Sequence, residues 1–169
     1  MFFVATSAAS LFGALVHGFY SDNKFLWQAV LIALGIVSAS TWAVGAHLLF
    51  TDGAARFVTV AALIELAVYS LVVLFVTDNF AIAIANYLPS TVFLIAAFFV
   101  SYRSTAATPV ALGLAGLLLT LVAAGVQQAR IAVHPTYFNH NALYHVLQAV
   151  ALFLIFRTAA FLSVLVPGS

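Results

Sequence analysis

Cysteine is absent from this chain, and charged side chains nearly so: five Lys or Arg and four Asp or Glu among 169 residues. Without Cys there is no disulfide, no thiolate metal site and no thiol nucleophile. Only 5% of the residues are charged, against about 25% in soluble domains, so a water-facing surface cannot be covered. The formal net charge is +1 and the Lys and Arg residues are scattered, which leaves no footprint for nucleic acid. Alternation of apolar and polar positions is also missing, and with it the pattern of a transmembrane β-barrel. The start, Met1-Phe2-Phe3-Val4, lacks the basic residues of a signal peptide and is expected to belong to a mature helix.

What is present is apolar. Hydrophobic residues make up 66% of the chain, and the mean hydropathy is +1.21. At about 20 residues per span, six segments emerge between short polar loops, at roughly 2–20, 25–50, 56–76, 80–103, 109–133 and 141–166. Loops this short make each helix antiparallel to the one before it. The expected fold is therefore an all-α integral membrane protein, a six-helix antiparallel transmembrane bundle in one domain spanning residues 1–169. No internal repeat supports an inverted-repeat transporter. Gly13, Gly35, Gly45, Gly113, Gly116 and Gly125 let helices approach closely, as packing in lipid requires.

Because direction alternates, polar residues can be assigned to one membrane side or the other. With the amino-terminal side called near, the far side collects His17, Asp22, Gln28, Asp78, Asn86, Gln127, Gln128, Arg130, His134, Asn139, His140, Asn141, Tyr144, His145 and Gln148. Four of the five His residues lie there. In the last segment Asn141, Tyr144, His145 and Gln148 fall at i, i+3, i+4 and i+7, one face of a helix. Polar groups in hydrocarbon need a partner, a cavity or an ion. A His-rich pocket with acidic neighbours fits zinc held by three protein ligands and a water whose pKa the metal lowers. In that reading His17, His145 and, less centrally, His140 are ligands. Asp22 or Asp78 is a ligand or handles protons, and Asn141, Tyr144, Gln148 or Asn86 orients substrate or lines the pocket. The bland alternative is that polar side chains gather at helix ends because the membrane interface tolerates them. A haem between His17 and His145 would need the same depth match. Separately, Glu65 and Arg157 lie at similar depth inside the membrane, and an ion pair between them is the simplest account of two such charges. Pro89, near Asn86, is expected to disturb the fourth helix and free a backbone carbonyl.

Asn141-Ala142-Leu143-Tyr144-His145, with His17 ending an earlier helix and Asp22 following it, resembles the alkaline ceramidases and the progestin/adiponectin-receptor proteins. That superfamily comprises seven-helix, membrane-embedded zinc amide hydrolases. Their last helix opens with His-x-x-x-His, an aromatic residue preceding the second His. The resemblance implies a zinc hydroxide attacking a lipid amide or ester. This chain departs from the pattern: Asn141 stands in place of the first His of the pair, and Gly13 in place of the Ser four residues before the first-site His. The functional expectation is thus a membrane-embedded metal-dependent lipid hydrolase. The alternatives are a non-enzymatic bundle binding lipid or pigment, an accessory subunit of a larger membrane complex, or a small transporter. Membrane lipids, further copies of the chain or a larger membrane complex are the expected partners.

Overall fold

A computed structural model describes residues 1–20 and 22–165. Six helices follow one another: α1 (Phe2–Gly18), α2 (Lys24–Leu49), α3 (Asp52–Phe75), α4 (Phe80–Thr105), α5 (Thr108–Gln128) and α6 (His140–Leu165). No strand forms among the described residues. The last four residues, including Val166 where the sequence pattern ends its sixth segment, lie outside them. Five helices, α2 to α6, are long and apolar enough to cross a membrane. At 17 residues α1 is shorter, reaching ~26 Å against a hydrocarbon layer of about 30 Å.

Asparagine opens three of the helices. The Asn23 side chain accepts the Leu26 N–H, Asn79 that of Ala81 and Asn139 that of Ala142, each supplying one of the acceptors that a helix start lacks. Helix α5 ends earlier than the apolar run implies. Arg130 adopts φ +53°, and the Ile131 N–H reaches back to Val126 O while that of Arg130 bonds Gln127 O. This is a Schellman termination with a non-glycine in the left-handed position. Ile131, Ala132 and Val133 therefore fall outside the helix despite their hydrophobicity.

The helices gather into two compact units, Met1–Ala97 and Phe98–Ser169. In the first, α2 is the hub, packed on α1 and α3. Leu31, Tyr69, Val73 and Ala83 form its buried core, with Trp27, Ile32, Leu34, Leu66 and Ile82 against them. Close approach depends on glycine: a Cβ on Gly35 would meet the Tyr69 ring at 2.7 Å, and one on Gly45 the Phe93 ring at 2.7 Å. Three side chains tie α2 to α3 and the turn after it. Gln28 Nε2 donates to Val73 O at 3.2 Å, Tyr69 Oη to Leu31 O at 3.0 Å and Trp27 Nε1 to Asp78 O at 2.8 Å. Residue numbers fall on α3 as they rise on α2, so the pair is antiparallel.

In the second unit α5 and α6 pack along most of their lengths. Thr158 donates to Pro109 O and also lies where a Cβ on Gly113 would be. A Cβ on Gly116 would stand 2.7 Å from Ala151 O. Here too numbers run in opposite senses, and the pair is antiparallel.

Candidate functional site

In the first unit the polar end forms around Trp27. Its indole bonds the Asp78 carbonyl at 2.8 Å, and the His17 ring meets it edge-on with centroids 6.4 Å apart. His17 and Asp22 are exposed, and Asp78 is half-buried. Lys24 and the last turn of α3 through Asp78 line a cleft of about 100 Å³. A larger groove of about 410 Å³ between α1 and α2 is lined by Met1, Val4, Phe12, Ile32 and Ile36 among others, all apolar.

The polar end of the second unit is built by the α5–α6 connection. His134 and Phe138 exchange backbone hydrogen bonds at 3.1 Å. His134 Nδ1 accepts the N–H groups of Thr136 and Tyr137 at 3.2 and 3.1 Å. That imidazole is a turn clamp. Beyond it, Gln127 Nε2 donates to Asn141 Oδ1 at 2.6 Å, while Gln127 Oε1 is buried with no hydrogen bond among the described residues. The Tyr144 and His145 rings lie edge to face, 5.0 Å apart. His145 is exposed, and His140, Asn141, Tyr144 and Gln148 are half-buried.

The expected residues are thus divided. His17, Asp22, Asp78, Asn86 and Glu65 belong to the first unit, and His140, Asn141, Tyr144, His145, Gln148 and Arg157 to the second. Among the described residues, no three His, Cys, Asp or Glu side chains group closely enough to hold a metal ion. The zinc ligand set drawn from the sequence, with its Asp partners, does not form such a group. Within their own units the His17 ring meets Trp27 and the His145 ring meets Tyr144.

Buried polar side chains serve the backbone. Gln28, Ser38, Thr41, Ser90, Thr91, Thr120 and Thr158 are all buried, and each donates to a main-chain carbonyl. Ser38 is the informative one. Its hydroxyl leaves its own helix and reaches Asn86 O at 2.9 Å and Ser90 Oγ at 3.1 Å on α4. Pro89 has no N–H for the carbonyl of Ala85, and the hydroxyls of Ser90 and Thr91 both bond Tyr87 O. The α2–α4 hydrogen bond goes to the carbonyl next to the one Pro89 frees, and Asn86 takes part through its backbone.

Glu65 and Arg157 stand apart from this pattern. Each lies well inside a membrane-length helix, and each is exposed. The Trp42 indole N–H is buried without a hydrogen bond of good geometry, and the group placed to receive it is the Glu65 carboxyl. Arg157 makes no ion pair among the described residues. Sequence reasoning overlooked Tyr69 as an interhelical donor and Asn23 and Asn79 as caps. An Asn immediately before an apolar run was the available signal for the caps; nothing local marks a mid-helix Tyr as bonded.

Five membrane-length apolar helices, with buried polar groups paired to the backbone, define a multi-pass α-helical membrane protein. The chain belongs to a family of unknown function, DUF6962, whose model matches residues 1–163. No curated protein and no solved structure matches it.

Proposed function

We propose that this protein acts by association within the membrane, as a non-catalytic building block or accessory subunit of a larger membrane assembly. One observation carries the reading: Glu65 and Arg157 lie inside α3 and α6 and are exposed, whereas the buried Gln28, Ser38, Thr41, Ser90, Thr91, Thr120 and Thr158 donate to the backbone. A charge at the centre of a membrane helix costs about 2.5–3.5 kcal/mol even on insertion scales, so it is kept where something pairs with it. Helices held together by backbone-directed hydrogen bonds and glycine contacts form a scaffold that leaves Arg157, and Glu65 with the Trp42 indole beside it, on exposed helix faces. The test is the mass of the gently solubilised protein. Assembly predicts a complex larger than one chain that Glu65→Gln or Arg157→Gln weakens; a monomer in every mild detergent, with wild-type and variant alike, would overturn it.

A lipid hydrolase is the second reading, favoured by the buried, unpaired Gln127 Oε1 beside Asn141 at the start of α6. About one zinc per purified chain, lost in His17→Ala and in His145→Ala, would establish it in place of the first.

A further inference from the structure

Resting on the assembly reading, we infer that the partner is a second copy of this chain, joined by two reciprocal ion pairs in which Glu65 of each copy meets Arg157 of the other. The chain carries both halves of the complementarity. Glu65 is the one acidic residue on α3 beyond its first turn, and its helix exposes Val60, Leu63, Ile64 and Val68 around it. Arg157 is the one charged residue of α6 and lies between exposed Phe153, Phe156 and Ala160. An apolar face alone would be satisfied by lipid; a carboxylate in it would not.

Depth permits the match. Glu65 is 13 residues from the start of α3 at Asp52, and Arg157 is 8 residues from the end of α6 at Leu165. In the alternation of spans read from the sequence, both ends fall on the near side. The five-residue difference amounts to ~8 Å of helix rise, and it is narrowed because helical side chains lean toward their own N-terminus, which carries the Arg157 head away from the near side and the Glu65 carboxyl toward it. In a two-fold dimer α3 of one copy lies against α6 of the other. The contact is self-complementary, so each copy contributes one acid and one base and no charge is left over. Net charge at the interface is zero.

The cysteine-free sequence allows a direct test in membranes of cells expressing the full chain. Two differently tagged copies are made, one with Ala61→Cys and the other with Ala160→Cys, both exposed positions one turn from the charges. Oxidation should link the two tags in a covalent dimer. Adding Glu65→Lys to the first copy should lower that product by about an order of magnitude, and adding Arg157→Glu to the second should restore it. Restoration is specific to pairing between copies, since each swapped chain on its own carries two like charges. Cross-linking indifferent to the charges would overturn the proposal. So would a chain bearing both cysteines that closes only on itself. Cross-linking of either cysteine to a different protein would overturn the pairing of copies while leaving the assembly reading intact; a monomer that links to nothing would end both.

Discussion

Ser38 shows how little chemistry separates a self-satisfied hydroxyl from a structural one. Thr41, three residues later, bonds back to Val37 O in the ordinary way, while Ser38 crosses to α4. Ser38→Ala should lower stability by about 0.5–1.5 kcal/mol, measured by unfolding in mixed detergent–SDS micelles. Thr41→Ala should cost less, because its carbonyl keeps its helical partner. Glycines differ in the same manner. A Cβ on Gly116 would press on the main chain at Ala151 O, 2.7 Å away, and a backbone atom cannot rotate aside. Gly116→Ala should therefore destabilise by about 1–3 kcal/mol. Gly125 has nothing within 4 Å, and Gly125→Ala should be neutral or stabilising by up to about 1 kcal/mol. Equal effects at the two glycines would contradict this account of α5–α6 packing. His134 provides a third case. Asn can place an acceptor near the position of Nδ1, so His134→Asn should preserve slow amide exchange at Thr136 and Tyr137, and His134→Leu should accelerate it.

Helix boundaries depend on single residues. Ala106 and Arg130, which follow α4 and α5, hold φ +50° and +53°, a region that costs a residue with a Cβ roughly 1–2 kcal/mol. Ala106→Gly should raise thermal stability in detergent by a few °C, corresponding to about 1 kcal/mol. No rise would mean that the left-handed turn is not held in solution. The capping asparagines bear on function as well as on boundaries. Asn23, Asn79 and Asn139 open α2, α4 and α6, whereas the starts at Thr51 and Ala107 have no side-chain cap. Of the far-side residues that pointed to a pocket, Asn139 is thus a helix cap and His134 a turn clamp. This was legible in principle, since an Asn before an apolar run is a start signal. The competing signal, histidines gathered at one end, was stronger.

For the whole molecule, the alternation of spans makes a labelling prediction. Single cysteines at Gly53 and Ala106 should react with a membrane-impermeant thiol reagent from one side, and those at Asn79 and Thr136 from the other. Mixed sidedness within either pair would break the antiparallel order. Metal analysis and cross-linking then separate the hydrolase, the homodimer and the hetero-assembly, each by a different positive result.

Composition alone determined that the chain enters a membrane as helices: with so few charges, hydrocarbon is the only solvent that its surface matches, and only helices satisfy the backbone there. Periodic breaks placed the elements to within a few residues, except where the Arg130 turn cut α5 short inside an apolar run. Which polar groups face one another was decided by tertiary structure, because hydrogen-bond partners such as Ser38 and Asn86, or Tyr69 and Leu31, are set by helix rotation and register. Depth along a helix can be counted from a sequence. Rotation about its axis emerges only when neighbouring helices pack, and it is rotation that turned His17 toward Trp27 and left Glu65 and Arg157 facing outward.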